Sequence, residues 1–505
     1  MLDSKKTALF GASLFALSTA AFAQTQTMDL PQASSAWFTA GQSHIEAMLA
    51  RQAKTGKAKN VILLVADGNG VGTNYALRLF DGQQKGMLGE ENVLPYETTD
   101  WWAALVKTYN INAQTPDSAP TAGAMNTGVK QRFNLINLNE NGIHGDCATV
   151  EGNELTTFGE IVTGMEKSVG VVSTARITHA TPAATYAKTA DRNWEDSVPE
   201  GCTAQKDIAA QLIDAIEAGT FDLAMGGGRR HFAPEGVTTE EGNAGRRKDG
   251  VNLIEKAKDM GVQYAWNTET FGQLGNDAPV LALFNDSHME YEADRADEDE
   301  PSLADLTRRA IEFLSQNENG YFLEIEAGRV DHANHDGNAA RVLRDGVAFA
   351  EAVALADELT DDEDTLIIVT ADHEHAIAFN GYCGRGSDIL GLCYDVAKEG
   401  DKHSDEPLLA DDGKPYTVIG YLNGVGSVLK QIDGGNDYSG ARPDVTQEDA
   451  TDLDYVQQAL IPKSSETHSG EDVMVYAKGP WAHLFDGTIE QNVIFHVMHH
   501  AVTAD

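Results

Sequence analysis

Three short apolar runs in this chain each end in an acid of the kind that binds metal ions. They are Val61-Ile-Leu-Leu-Val-Ala-Asp67-Gly68, Tyr321-Phe-Leu-Glu-Ile-Glu326 and Thr365-Leu-Ile-Ile-Val-Thr-Ala-Asp372-His373. Asp331 and His335 follow shortly after Glu326, and an Asp and a His four apart share one face of a helix. His468, in Glu466-Thr-His468-Ser-Gly470, precedes another apolar run. Each residue alone has an ordinary explanation, since a lone His is usually satisfied locally and a strand-end Asp often caps a helix. Together they point to a metal cluster, because carboxylates crowded at one place repel unless cations sit among them. Mixed nitrogen and oxygen donors suit zinc, and oxygen alone suits magnesium. The inventory divides into Asp331, His335 and His468 for one zinc, Asp67, Asp372 and His373 for a second, and Glu326 with a bridging Asp67 for a harder cation. Two zincs about 4 Å apart form a clamp for phosphoryl displacement.

Ser118, in Thr115-Pro-Asp117-Ser118-Ala119-Pro120, is the candidate nucleophile. Pro120 and the small residues after it predict a helix starting near Ser118, whose free N–H groups and dipole would face an anion. A metal can hold the serine oxygen ready, so no His base is required. The competing reading is that Asp-Ser-Ala-Pro is simply a helix cap. Arg192 has the planar fork that suits phosphate, set against a surface ion pair with Asp191.

These residues need a scaffold that brings distant segments to one edge. Buried parallel strands read as Val/Ile/Leu runs, and ligands bind at their carboxyl ends. Strands are expected at 60–66, 103–107, 169–174, 223–226, 280–284, 321–325, 366–370 and 473–477. Helices are expected near 157–166, 204–217, 251–260, 302–315, 338–359 and 490–502. The alternation predicts an α/β fold with a mostly parallel sheet covered on both faces. An α/β core spans 59–380 and 466–505. Residues 381–465, rich in Gly, Asp and Tyr, read as an inserted surface subdomain. A helical arm occupies 24–58, with an amphipathic helix near 34–53. Gly226-Gly-Gly228 before Arg229-Arg230 suggests either a phosphate loop or an ordinary βα turn.

The chain has 505 residues with 37 Lys+Arg against 78 Asp+Glu, a net charge of −41. That balance argues against nucleic acid and anionic membranes as partners. It suits a surface adapted to high salt, where screening removes self-repulsion. The acid runs 292–300 and 361–364 read as solvated loops. Residues 1–23 read as a secretory signal, with Lys5 and Lys6 ahead of an apolar stretch and Ala21-Phe22-Ala23 as the cleavage site. A periplasmic or secreted protein without a membrane span is expected. Four cysteines then imply two disulfides from three possible pairings. Nearness in sequence favours Cys383–Cys393, leaving Cys147–Cys202.

The chain resembles the alkaline phosphatases. The matching stretches are Asn60 to Gly68, Pro116-Asp-Ser118-Ala, Thr178-His-Ala-Thr181-Pro-Ala-Ala, Phe322 to His335, Val369-Thr-Ala-Asp372-His373-Glu-His and Thr467-His468-Ser-Gly-Glu-Asp, in family order. The resemblance implies a three-layer α/β/α sandwich, a homodimer, and a phosphate monoesterase with two zincs and one magnesium. It makes Ser118 the residue that becomes phosphoserine and Arg192 the phosphate clamp. It assigns Asp331, His335 and His468 to the first zinc and Asp67, Asp372 and His373 to the second. Asp67, Thr181 and Glu326 become the magnesium ligands. His179 and His332 stand where some bacterial members carry Asp and Lys, and pair as in animal-type enzymes, with His179 orienting magnesium-bound water. The Cys147–Cys202 placement is also animal-like, and 381–465 occupies the place of the variable crown. Leu281-Ala-Leu-Phe284-Asn285 is similar to an animal-type calcium region, with Asn285 in place of an acid. Related metalloenzymes of the same fold, acting on sulfates or phosphodiesters or as phosphomutases, share the strand-end ligands, and a non-catalytic metal-binding protein is the reading from another class.

Overall fold

The computed structural model describes residues 30–296 and 299–504. The expected signal at 1–23 and the first part of the arm lie outside these. Residues 30–51 form a unit of their own, with a helix at Ala36–Ala50, inside the expected 34–53. Everything after Arg51 forms the second unit.

In the second unit the strands are β1 (Asn60–Ala66), β2 (Trp102–Lys107), β3 (Ser168–Arg176), β4 (Leu223–Gly227), β5 (Gln263–Ala265), β6 (Val280–Leu283), β7 (Tyr321–Ala327) and β8 (Thr365–Thr370). Short strands follow: β9 (Glu374–His375), β10 (Ile377–Phe379), β11 (Ile419–Gly424), β12 (Lys430–Gln431), β13 (Tyr438–Ser439), β14 (Ala459–Pro462) and β15 (His468–Ser469). β16 (Val473–Lys478) and β17 (Thr488–Glu490) return to the main sheet. That sheet has ten strands in the order β17-β2-β16-β8-β1-β7-β3-β4-β6-β5. Only β16 runs antiparallel to its neighbours.

All eight apolar runs read from the sequence form strands of this sheet. The two it lacked, β5 and β17, are three-residue strands at opposite edges, too short to carry a hydrophobic period. Glu490, expected to open the last helix, ends β17 instead, and the helix starts at Val493.

Successive side chains of a strand point to opposite faces. In β1, Val61, Leu63 and Val65 join one apolar core and Ile62, Leu64 and Ala66 the other. Helices including Ser118–Thr127, Ile208–Glu217 and Val493–Thr503 pack on the first face. Helices including Val71–Gln84, Leu303–Leu314 and Ala339–Leu359 pack on the second. A central strand buried on both faces must be apolar throughout, which is why β1 reads as an unbroken run.

Strands β8, β1 and β7 are adjacent and parallel, and Val65 pairs with both Thr370 and Glu326. Asp67, Glu326 and Asp372 therefore emerge on one rim. The 381–465 stretch contains more regular structure than its composition suggests, but in short pieces. Within it β11 and β14 pair, with β10 from just before the stretch as the third strand of their sheet, and β12 and β13 make a hairpin. The disulfides are Cys147–Cys202 and Cys383–Cys393. One acid run departs from the solvated reading: Glu300 is buried and accepts hydrogen bonds from Asn285 Nδ2 at 2.9 Å and Glu290 N at 2.9 Å. Arg229 is also buried, bonded to the Leu283 carbonyl and paired with Glu241 and Asp286. The Gly226–Gly228 run therefore serves a structural turn.

Candidate metal centre

Asp67 leaves β1 into a turn at Gly68, whose φ of +73° disfavours a side chain. A Cβ there would also lie 2.4 Å from the His375 ring. Asp67 is completely buried, and its Oδ1 lies 3.2 Å from His373 Nε2. His373 Nε2 is 3.4 Å from Asp372 Oδ2, so the three residues read as one ligand set converge. Gly68 N and His373 N both donate to Asp372 Oδ1, which fixes that carboxylate.

Ser118 is the first residue of the helix Ser118–Thr127, and the cap is Asp117. Asp117 makes no capping bond with its side chain. Its carboxylate instead pairs with Arg192 and accepts from Asn134 N. Ser118 Oγ points into the cluster, 3.1 Å from His373 Nε2 and 3.4 Å from Asp67 Oδ1. The motif thus opens the helix with Asp117 at the cap position, while the Ser118 hydroxyl takes no part in capping and faces the cluster. Arg192 does not pair with Asp191, which faces His144; its other fork nitrogen lies 2.9 Å from His179 Nε2.

Asp331 and His335 lie on the short helix Arg329–His335. Asp331 Oδ1 is 3.3 Å from His335 Nε2 and 3.2 Å from His468 Nε2, and those two nitrogens are 3.1 Å apart. His335 Nδ1 bonds the Glu466 carbonyl at 2.6 Å and His468 Nδ1 the Pro116 carbonyl at 2.9 Å. A carbonyl only accepts, so both protons sit on Nδ1 and both Nε2 atoms present lone pairs. Burial pushes both imidazoles below their ordinary range, keeping them neutral. Two lone pairs and a carboxylate oxygen thus face one another, an arrangement that a cation relieves.

The oxygen-rich set shows the same need. Asp67 Oδ2, Thr181 Oγ1 and Glu326 Oε1 are each buried without a hydrogen-bond partner. Burial raises Asp67 well above the carboxylate range, with Asp331 and Glu326 adding to it. Burial likewise lifts Glu326 to about 8 and Asp372 to about 6. Asp331 goes the other way: burial opposes ionisation, but His375, which donates to Asp331 Oδ1, helps hold it well below its usual value. The residues present fit divalent cations at all three positions.

His179 and His332 lie beside the oxygen-rich set, their rings 5.4 Å apart. Sequence reasoning missed His288, whose ring is 4.0 Å from that of His332 and 5.3 Å from that of His179. It comes from a loop beyond β6 and has no motif around it. Ser173, which donates to Glu326 Oε2, was equally silent. His375 and Glu466 were visible inside the Asp372-His-Glu-His and Glu-Thr-His468 stretches but carried no assigned role. His375 Nε2 bonds Asp331 Oδ1 at 2.9 Å, and its Nδ1 bonds Glu466 Oε2 at 2.6 Å.

The alkaline phosphatase family profile matches residues 58–504. The chain belongs to the alkaline phosphatase family. It is therefore an enzyme that hydrolyses phosphate monoesters with metal ions. It is 39% identical to an alkaline phosphatase of Gadus morhua over 464 residues, covering 88% of this chain and 92% of that one. It is 39% identical to the tissue-nonspecific isozyme of Homo sapiens over 467 residues, covering 88% and 84%. The fold is shared with solved alkaline phosphatases. That of Thermus thermophilus superposes with a TM-score of 0.63 at 22% identity, over 91% of this chain and 94% of that one. That of the Antarctic bacterium TAB5 gives 0.60 at 21% identity, over 89% and 99%.

Proposed function

We propose that this alkaline phosphatase works through a phosphoserine on Ser118, with zinc held by Asp331, His335 and His468, zinc held by Asp67, Asp372 and His373, and magnesium held by Asp67, Thr181 and Glu326. The observation that carries the reading is the set of unprotonated nitrogens and orphaned buried oxygens around Ser118. Bound there, the ions would supply Lewis-acid stabilisation of the phosphoryl group and lower the pKa of the attacking oxygens. Solved TAB5 variants with magnesium in an M3 site support a third ion.

The chain's own residues do the rest. Ser118 Oγ attacks phosphorus as the P–O bond to the leaving alcohol breaks. Water then attacks the phosphoserine, returning the hydroxyl and releasing inorganic phosphate. Arg192, steadied by Asp117 and His179, holds phosphoryl oxygens and offsets their charge. His179 orients water at the oxygen-rich set, with His332 beside it in the animal-type His/His pattern. The deciding experiment is acid-quench trapping with a labelled aryl phosphate. Label on Ser118 supports the assignment; turnover without a phosphoprotein, or faster turnover of aryl sulfate, overturns it.

The remaining features follow the same reading. The chain is an exported homodimer, periplasmic or secreted, with a signal at 1–23, an arm at 24–58, a core at 59–380 and 466–505 and a crown-like insert at 381–465. Two disulfides support export, and no helix among the described residues is long and apolar enough to cross a membrane. The net charge of −41 supports a halophilic surface, for which the midpoint of unfolding should rise with sodium chloride.

A further inference from the structure

The first ligand group, Asp331, His335 and His468, is tied to one strand of the insert. β11 supplies three successive contacts. Tyr421 Oη donates to Asn334 Oδ1 at 2.6 Å. Asn334 is completely buried between Asp331 and His335 on their short helix, and its Nδ2 bonds the Val330 carbonyl at 3.2 Å. Two residues on, Asn423 Nδ2 donates to Thr467 Oγ1 at 3.1 Å, next to His468. Gly424 follows, with φ +128°, and a Cβ added there would press on Glu466 at 3.0 Å. Glu466 N in turn donates to the His335 carbonyl at 2.9 Å. The second group is fixed mainly elsewhere: Asp67 follows directly on β1, Asp372 is held by Gly68 N, His373 N and Thr121 Oγ1, and β11 meets the segment after His373 through backbone pairing with β10, with Ile377 opposite Tyr421.

We propose that β11 is a positioning strut for the first metal group alone, with Tyr421 as its principal residue. The proposal rests on the ligand assignment given under Proposed function. Without the Tyr421 hydroxyl, Asn334 Oδ1 becomes a buried acceptor with no donor, in the one helical turn that joins two ligands of the same ion. The strut therefore acts on how tightly one ion is held, and leaves the other to the main sheet.

The test is zinc release from the fully loaded chain into a chromogenic chelator. Wild-type protein should release zinc in separable phases, and His468→Ala identifies the phase belonging to the first group. Tyr421→Phe, which keeps the ring, should speed that phase about tenfold, or ~1.4 kcal/mol, and leave the other unchanged. Asn423→Ala should act on the same phase. Leu422→Ala, on the same strand with its side chain half-exposed, should alter neither. Unchanged release in Tyr421→Phe, or equal acceleration of both phases, overturns the strut while leaving the ligand assignment intact. Wild-type protein that holds no zinc overturns the assignment and the strut together.

Discussion

His375 Nε2 lies 2.9 Å from Asp331 Oδ1, and Glu466 Oε2 lies 2.6 Å from the opposite nitrogen of the same ring. The imidazole bridges two carboxylates and so holds both protons. Burial opposes that charge, but Glu466 and Asp331 outweigh it and raise His375 well above its ordinary range. The short ladder of β9 and β15 sets His375 opposite His468. Glu466, His375 and Asp331 thus form a relay that orients the Asp331 carboxylate. Outer partners of metal ligands typically matter by about 10–100-fold in affinity. Glu466→Gln should weaken one zinc by about that factor, measured by competition with a graded chelator, with the second zinc unaffected.

Ser118→Ala should fold and load metal normally, because the hydroxyl bonds only within the cluster and plays no part in capping its helix. Trapped phosphoprotein should vanish and turnover should fall by about three orders of magnitude or more. Wild-type levels of phosphoprotein would remove Ser118 from its role.

The chelated protein should lose stability as pH rises. Glu326 and Asp372 stay protonated in the ion-free fold up to about 8 and about 6, whereas unfolded carboxyls ionise near 4. Raised folded values mean that this stabilisation is complete below about pH 4. It is lost as pH passes through about 6 and then about 8. Thermal melts of chelated protein should therefore fall between about pH 5 and about pH 9. Bound ions need the deprotonated forms, so loading with zinc and magnesium should flatten or reverse the trend.

The legible part of this site was the part written in strand ends. Asp67, Glu326 and Asp372 each close an apolar run, and adjacency of β8, β1 and β7 turns three distant acids into one rim. Asp331 and His335 announced themselves by helical spacing. Ser118 was ambiguous because its motif also fits a cap, and only the turn of its Oγ toward His373 separates the two. His288 and Ser173 were illegible: each reaches the site by tertiary packing, with no period or motif to mark it. Arg192 invited pairing with its neighbour Asp191, but the chain carries it to Asp117, which is far away in sequence. In the insert, Tyr421 lies in a strand of only six residues, and its contact with Asn334 depends on the folded arrangement alone.

The two disulfides should differ in worth. Cys147–Cys202 spans 55 residues and Cys383–Cys393 spans 10. Loop-closure entropy gives about 4 kcal/mol for the longer and about 2.7 kcal/mol for the shorter. Paired Cys→Ser replacement of 147 and 202 should lower the urea midpoint more than replacement of 383 and 393. Equal losses would show that the insert is stabilised by more than its own loop.

The most direct measurement is elemental analysis of active, gel-filtered enzyme beside an aryl-phosphate assay, before and after chelation. Two zincs and one magnesium per chain are expected, with activity lost on chelation and restored by both metals together. Full activity in protein carrying no divalent ion would contradict the metal centre built from Asp67, Asp331 and Asp372.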